Sequence, residues 1–575
     1  MPDGRTTDPR TAGAGAWPDM PTPSRPVRAL LAALACAGCL ALFFRGQIAD
    51  GFTLLLGDRH DGTIALSILE HWWNLLRGRA AAWDTTTYFH PVSGTLGYND
   101  GYLAFGLLHA AFRAAGADPF LSGELTNAAL RAVGFAGFHL LGRRVLGLPF
   151  GWALLGAALF TLSNNLAIRA SHVQLFSVSL VPMLAVLGHG ALRALRDGRR
   201  AALLAWGAGF LAWHAMMLMT GFYMAWYAAF FGAAMLLAWL ATAGRDRRRR
   251  LLAAVRGAVL QLLGLAALAV LLNLPFLRLY LPKAQETGMH DYAGMVVRYT
   301  LSPLDLLHVG EQNLLWGSLV RALNGAFRPE MPAWTEQMTG LPPVLLLVFT
   351  AALAWLWHGR RAPADDRVAM LRAAALATLA TWALALRIGD ASPWWLVYEL
   401  VPGAKAARVV ARYQVFLVVP VVALAVALLA AVAARRRAAP VVLGALCALL
   451  VAEQLNAYAP RFLDRPAELA RLRAVPPPPA SCRAFFVTAA RAESRFGEEV
   501  DNVYNHNTEA MLVAAVTGLP TINGISTFNP PGWEPVFPGR PGYLDWVRRT
   551  AALHGVAQGL CGLDLRRFAW DAAPL

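Results

Sequence analysis

Long apolar segments, interrupted by short basic loops, make up most of the chain. A helix needs about 20 mostly apolar residues to cross the hydrocarbon core of a bilayer. By this criterion the sequence predicts about eleven transmembrane helices, at residues 28–44, 122–142, 149–168, 173–194, 201–217, 222–243, 251–277, 341–357, 368–387, 413–433 and 440–458. The predicted fold class is therefore an all-α polytopic membrane protein.

The loops between these segments alternate in arginine content, as the positive-inside rule requires. If the N-terminus is cytoplasmic, every cytoplasmic loop carries a basic cluster, within residues 143–144, 193–200, 245–250, 360–367 and 435–437. The short outer loops carry Arg169 or no basic residue. Counting the shorter apolar segment 102–116 as a span would invert every later loop, so we expect it to be a helix in the outer interface.

This orientation divides the chain into three parts. Residues 1–27 are polar and proline-rich, and we expect a disordered cytoplasmic tail there. Residues 28–458 form the predicted transmembrane domain, with a long first outer loop at 45–121. Residues 459–575 form a predicted extracytoplasmic domain, in which a strand-like Ala484–Thr488 and a helix at Thr508–Val516 indicate a small α/β fold.

Composition supports a membrane location. Hydrophobic residues make up 57% of the chain and charged residues 15%, against about 25% charged in an ordinary soluble protein. The net charge of +16 is spread over short clusters between apolar segments, which are typical of membrane anchors rather than of a nucleic-acid surface. Five cysteines are too few for a disulfide framework, although Cys482 and Cys561 could pair in an extracytoplasmic domain.

The first outer loop holds the most informative polar residues. Asp58, His60 and Asp61 lie within four positions, and Asp100 follows between Asn99 and Gly101. Carboxylates at a membrane surface can act as a general base, as metal ligands or as acceptors for sugar hydroxyls. The alternative is a polar loop in which Asp61 caps the following helix.

The pattern as a whole resembles the GT-C superfamily of integral-membrane glycosyltransferases. In that family a long outer loop after the first helix carries a modified Asp-x-Asp motif, which His60-Asp61 matches here. Predicted interfacial helices follow at residues 63–77 and 102–116. The stretches 171–182, 336–341 and 402–412 are also similar to bacterial members of this superfamily.

The resemblance implies transfer of a sugar from a polyprenyl-phosphate donor to an envelope glycan, lipid or protein acceptor. The enzyme would lie in the bacterial cytoplasmic membrane with its site on the outer face. Asp61 would deprotonate the acceptor hydroxyl, which attacks the anomeric carbon with inversion, and Asp58 is the second candidate. Asp100 could orient the acceptor or hold a metal, so a divalent cation, Mg²⁺ or Mn²⁺, stays open as a cofactor.

A phosphate donor needs cations at the depth of the interface. Arg408 and Arg412 are four residues apart before the span at 413–433, and on a helix they would share one face. Arginine matches phosphate with forked, charge-assisted contacts, so we predict donor-phosphate binding there, with Lys405 as a weaker candidate. The alternative is interfacial snorkelling of long basic side chains.

Five further polar residues on the outer face are candidates for substrate binding. The alternatives for them are helix packing, a loop turn or a polar cap. They are His60, His172, Gln174, His290 and Glu336.

Two other function classes compete with a transferase. A transporter or flippase of lipid-linked glycans predicts charges inside the spans and broken helices at the midplane, whereas the acids here concentrate in outer loops. A non-catalytic scaffold of the same fold is the other alternative. No P-loop, dinucleotide-binding glycine pattern or zinc-spaced cluster occurs in the sequence, which disfavours ATP-driven transport, nucleotide-sugar use and zinc hydrolysis.

Overall fold

The computed structural model describes residues 24–330, 332, 335–358, 366–435, 440–493 and 497–572. Most of the predicted N-terminal tail, residues 1–23, lies outside the described residues. So do parts of two predicted basic clusters, Arg360–Arg361 and Arg436–Arg437.

Helices dominate the part of the chain before residue 459. In chain order they are α1 (Arg25–Phe43), α2 (Arg45–Ala49), α3 (Asp61–Leu76), α4 (Leu103–Ala114), α5 (Pro119–Leu140), α6 (Phe150–Thr161), α7 (Asn164–Ile168), α8 (Val181–Arg196), α9 (Arg200–Leu218), α10 (Phe222–Thr242), α11 (Arg245–Gly257), α12 (Val259–Thr287), α13 (Gly317–Phe327), α14 (Pro343–His358), α15 (Asp366–Ala385), α16 (Trp394–Leu400), α17 (Tyr413–Arg435) and α18 (Pro440–Ala452).

Eight helical segments among the described residues are long and apolar enough to cross a membrane. They are Arg25–Phe43, Phe150–Ile168, Val173–Arg196, Arg200–Leu218, Phe222–Thr242, Val259–Thr287, Asp366–Ala385 and Val410–Ala434. The chain is thus a multi-pass membrane protein, and the all-α polytopic fold class is confirmed. The predicted count of eleven is not confirmed, because α5, α14 and α18 do not combine the length and apolar composition of the other eight.

The helix α17 lies at the centre of the bundle. It is apolar on all sides, as expected of a helix surrounded by others, and it packs against α6, α14 and α15. The helix α12, by contrast, leaves most of its apolar surface on the outside of the bundle, where lipid would cover it.

The helices α3 and α4 of the first long loop pack side by side. Gly106 of α4 allows this approach, since a β-carbon there would lie 2.3 Å from the Trp72 ring of α3. A buried Glu70 on α3 then contacts His109 at 2.7 Å and Arg113 at 2.8 Å on α4. This pairing fixes α3 and therefore the position of Asp61 at its first turn.

The C-terminal region is a small α/β domain. It contains β2 (Leu463–Asp464), α19 (Arg465–Ala474), β3 (Ala484–Ala489), α20 (Glu498–Thr517), α21 (Tyr543–Leu553), β4 (Leu560–Asp564) and β5 (Ala569–Asp571). In the sheet β3 runs parallel to β4, and β5 pairs antiparallel with β4. A disulfide joins Cys482 and Cys561. The predicted helix at 508–516 is the second half of α20, which begins at Glu498.

Three contacts fix this domain on the transmembrane part. The strand β1 (Leu54–Leu55) of the first loop pairs antiparallel with β2. Arg465 contacts Asp118 at 2.7 Å, and the same carboxylate caps the start of α5. Leu512 of α20 packs with Leu66 of α3 in one apolar cluster. The C-terminal domain is therefore seated directly over α3.

Candidate functional site

A cavity of about 400 Å³ opens at the end of the bundle that carries the first long loop and the C-terminal domain. Its walls come from that loop, from the ends of α10 and α12, from residues 406–412 and from the C-terminal domain. Six of the predicted site residues line this cavity, although they are far apart in sequence: Asp61, Asp100, Gln174, His290, Arg408 and Arg412.

Asp61 occupies the first turn of α3, and 47% of its side chain is exposed. Its Oδ2 lies 3.3 Å from Nδ1 of His172. Partial desolvation by the cavity walls opposes ionisation of the carboxyl group, but the adjacent His172 and the charge of Arg412 outweigh it and hold the pKa of Asp61 below its usual range. Asp61 therefore presents an ionised carboxylate to the cavity at neutral pH.

A chain of charges continues behind Asp61. His172 Nε2 lies 3.2 Å from Glu336 Oε1, and Arg412 Nη2 donates to the same oxygen at 3.0 Å. Arg169 donates to the other oxygen of Glu336. Burial favours the neutral form of Glu336, but Arg169, Arg412 and His172 hold the pKa of its carboxyl group well below its usual range. We name Asp61, His172, Glu336, Arg169 and Arg412 the Asp61 cluster.

Asp58 and His60 have different surroundings from Asp61. The Oδ1 atom of Asp58 accepts hydrogen bonds from the backbone N–H groups of His60 at 2.9 Å and Gly62 at 3.4 Å. Nε2 of His60 lies 2.9 Å from Oδ1 of Asp501 on α20, and both side chains are buried. Asp58 thus shapes the loop before α3, and His60 joins that loop to the C-terminal domain.

Asp100 lines the cavity but is also bound to the bundle. Its Oδ1 accepts a hydrogen bond of 2.8 Å from the backbone N–H of Phe222, at the start of α10. Burial raises the pKa of Asp100, despite that bond and the charge of Arg412. Gln174 lies nearby, with its Oε1 3.5 Å from the Tyr102 hydroxyl group.

The three predicted phosphate-binding cations occupy different places. Arg412 is paired with Glu336 and lies under the Tyr223 ring. Arg408 lies over the Tyr299 ring, and among the described residues it has no carboxylate at ion-pair distance. Lys405 does not line the cavity and pairs with Glu399 at 2.8 Å. Arg408 and Arg412 do not share a helix, because the helical segment that contains Arg412 begins only at Val410.

His290 lies at the edge of the cavity against the C-terminal domain. Its ring stacks on Phe528 with centroids 4.8 Å apart. Burial and the charge of Arg408 lower the pKa of His290 to about 4, so the ring is neutral at pH 7.

Among the lining residues that reasoning from sequence missed, Lys283 and Tyr504 bear most on the chemistry. Lys283, near the end of α12, lies 3.1 Å from Glu286 and 3.1 Å from the Tyr98 hydroxyl group. It is one of only two lysines in a chain otherwise using arginine, a signal that could have drawn attention to it. Tyr504 comes from α20 of the C-terminal domain, and no motif distinguishes it in the sequence.

The cavity offers few side chains that could hold a metal ion. No group of three or more His, Cys, Asp or Glu side chains suited to a metal ion occurs within the residues that the structure describes. Asp61 and Asp100 are the two carboxylates lining the cavity that a divalent cation would meet in this part of the chain.

Several solved structures are similar to this chain. The Archaeoglobus fulgidus oligosaccharyltransferase in its apo form is 13% identical, with a TM-score of 0.46 over 87% of this chain and 65% of that chain. The arabinofuranosyltransferase AftD from Mycobacteria is 15% identical, with a TM-score of 0.47 over 88% of this chain and 32% of that chain. ArnT from Cupriavidus metallidurans bound to undecaprenyl phosphate is 14% identical, with a TM-score of 0.39 over 86% and 85%.

The chain thus spans less than two thirds of the length of the first two proteins. The sequence matches no protein-family model. No curated protein sequence matches it either.

Proposed function

We propose that this protein is a membrane glycosyltransferase that moves a sugar from a polyprenyl-phosphate donor to a hydroxyl group of an envelope acceptor. The observation that carries the proposal is the placement of Asp61. A half-exposed carboxylate faces a cavity, is held by a histidine on its inner side, and shares that cavity with an arginine that has no carboxylate partner among the described residues.

The two acids of the cavity have different properties, and this difference supports Asp61 as the base. The contact with His172 and the charge of Arg412 favour the ionised form of Asp61, whereas burial favours the protonated form of Asp100. Two carboxyl groups whose pKa values are pushed apart can take separate roles in one reaction. Asp61 accepts the proton, and Asp100 orients the acceptor.

The proposed reaction is a single displacement. The acceptor hydroxyl oxygen attacks the anomeric carbon of the donor sugar and forms the new glycosidic bond, while its proton passes to Asp61. The bond between the anomeric carbon and the phosphate oxygen breaks, and its electron pair leaves with the polyprenyl phosphate. Attack from the face opposite to the phosphate inverts the configuration.

Arg408 is the best candidate for the donor phosphate. An arginine already paired with a carboxylate, such as Arg412, has less positive potential to offer an anion than an unpaired one. Lys283 also lines the cavity, but it shares its charge with Glu286 at 3.1 Å and is therefore the weaker candidate. The helices α10 and α12 contribute the stacked rings of Phe222 and Phe276, 6.3 Å apart, and these suit the apolar lipid next to the phosphate.

The proposed location is the cytoplasmic membrane of a bacterium, with the cavity and the C-terminal domain outside. The arginine-rich loops support this orientation, since such loops stay in the cytoplasm. The disulfide between Cys482 and Cys561 supports it as well, because disulfides persist in oxidising compartments.

A conversion assay with purified protein tests the proposal. Lipid-linked sugars would be extracted from a strain that lacks the gene and incubated with the full-length protein and envelope glycans from the same strain. We expect release of free polyprenyl phosphate together with growth of one glycan by one sugar, both followed by mass spectrometry. A flippase or a scaffold would release no polyprenyl phosphate, and that result would overturn the proposal.

A further inference from the structure

The C-terminal helix α20 is fixed on α3 by both polar and apolar contacts. Beside the contact between His60 and Asp501, the side-chain amide of Asn74 on α3 donates a hydrogen bond of 2.6 Å to the carbonyl oxygen of Ala515. Leu512 packs on Leu66 between these two polar contacts. Since α3 begins with Asp61, this interface fixes α20 relative to the proposed base.

Tyr504 is the residue of α20 that reaches the cavity. It follows Asp501 by three positions and therefore lies on the same face of the helix. Its ring lies over His60, with centroids 4.8 Å apart and an angle of 37° between the planes. Tyr504 lines the cavity together with Asp61 and Arg408.

The electrostatic surroundings of Tyr504 keep its hydroxyl group protonated. Burial and the nearby carboxylates of Asp61 and Asp58 outweigh the charge of Arg408 and raise the pKa of Tyr504 to about 12. At neutral pH the phenol is therefore a hydrogen-bond donor on the wall of the cavity that Asp61 and Arg408 also line.

We propose that Tyr504 is a substrate-contacting residue, whose hydroxyl group donates a hydrogen bond to the oxygen that joins the donor sugar to its phosphate. This inference rests on the proposed function, in which the acceptor proton goes to Asp61 and the phosphate is bound by Arg408. In the bound sugar donor, this linking oxygen would lie between Asp61 and Arg408. It gains negative charge as its bond to the anomeric carbon breaks. A fixed donor at that position stabilises this charge.

The C-terminal domain is then part of the reaction site rather than an attached module. His60 and Asp501 act as positioning residues, because their contact holds α20 and with it Tyr504. The transmembrane part contributes the base and the phosphate-binding arginine, and the site is incomplete without the tyrosine from the second domain.

The test compares Tyr504→Phe with Tyr292→Phe in the full-length protein. The first variant keeps the ring over His60 and removes only the hydroxyl group. Tyr292 is the matched control, since its hydroxyl group donates to the carbonyl oxygen of Ser392 and it does not line the cavity. We expect Tyr504→Phe to lower the rate of polyprenyl phosphate release about 10- to 100-fold, and Tyr292→Phe to leave it near the wild-type rate.

Two further measurements separate the possible outcomes. Thermal unfolding shows whether each purified variant is folded, and wild type and Asp61→Asn are run in the same polyprenyl phosphate release assay. If wild type is active, Asp61→Asn is inactive and folded Tyr504→Phe matches wild type, the inference about Tyr504 is wrong while the proposed function stands. If wild type releases no polyprenyl phosphate, or Asp61→Asn is as active as wild type, the proposed function itself fails. A loss of activity in Tyr504→Phe accompanied by an equal loss in Tyr292→Phe would also overturn the inference.

Discussion

Among the arginine and carboxylate clusters of the described residues, two have clearly different surroundings. The Asp61 cluster borders the cavity. The second cluster, which we name the Arg491 cluster, lies in the C-terminal domain and consists of Arg491, Glu468, Glu509 and Arg471. Arg491 contacts Glu468 at 2.7 Å and Glu509 at 3.2 Å, and Arg471 contacts Glu509 at 2.8 Å.

The difference shows what makes a charge cluster a candidate site. In the Arg491 cluster two arginines balance two carboxylates, and only 6% of the Arg491 side chain is exposed. In the Asp61 cluster one carboxylate remains 47% exposed on the cavity, with Arg408 close by. Charges that are buried and paired with each other have a structural role. An exposed carboxylate next to an unpaired cation can instead bind a substrate.

The largest effect is expected in the Arg491 cluster and concerns stability. Arg491→Met leaves the largely buried Glu468 and Glu509, 12% and 11% exposed, without their shared partner, which should cost about 3–5 kcal/mol of folding free energy. The midpoint of thermal unfolding of the purified protein should therefore fall well below that of wild type. Arg473→Met, an exposed position on α19, is the control and should change it little. If Arg491→Met lost activity but kept its stability, the Arg491 cluster would not have the purely structural role that we assign to it.

Removal of Arg408 should affect the reaction and not the fold. Arg408→Gln deletes a charged contact with the donor phosphate worth about 1.5–3 kcal/mol, so the rate at limiting donor should fall about 10- to 100-fold. Thermal unfolding should stay near wild type, since no ion pair of Arg408 is broken in the described part of the chain. An unchanged dependence of the rate on donor concentration would mean that the phosphate binds elsewhere.

His172 should set the pH range of the reaction. The pKa of Asp61 is held low in part by His172, so in the wild type the base stays ionised until the pH falls below the usual range for aspartate, about 3.9. Replacing His172 by Gln removes that influence and raises the pKa of Asp61. The acid limb of the pH–rate profile should therefore move to higher pH in His172→Gln. A limb that stays in place, or moves to lower pH, would contradict the assignment of the base.

The two lysines offer the smallest expected difference. Lys283→Ala removes a cation from the cavity wall and should lower the rate several-fold, by about 1 kcal/mol. Lys405→Ala breaks an exposed pair with Glu399 that solvent screens, and it should leave the rate of polyprenyl phosphate release near wild type. If both substitutions changed the rate equally, the position of Lys283 on the cavity wall would have no role in the reaction.

Much of the fold follows from local sequence, because span length, apolar composition and helix caps act within a few residues. The sequence also pointed to Asp61, Asp100 and Arg408, which share the cavity. It placed Asp61 before Asp58 only through the family resemblance, since the distinction depends on which carboxylate the loop backbone binds. The pairing of Glu336 with Arg169 and His172 joins distant segments, and no local pattern encodes such a contact.

The position of Tyr504 at the cavity could not be predicted from local sequence either. It depends on how α20 is seated over α3, and that in turn depends on contacts between residues more than 400 positions apart. The Asn-rich sequence around it is also typical of turns, whereas the structure has a continuous helix there.

The central claim, that Asp61 is the base of a sugar transfer, is tested most directly in cells. A deletion strain would be complemented with wild type, Asp61→Asn or Asp58→Asn at matched expression, and its polyprenyl-phosphate sugars and envelope glycans measured by mass spectrometry. An asparagine at position 58 keeps the oxygen that accepts the two backbone hydrogen bonds. The account predicts that one lipid-linked sugar accumulates and one glycan mass disappears in the deletion and in Asp61→Asn, while Asp58→Asn restores the glycan. Restoration of every profile by Asp61→Asn would contradict it.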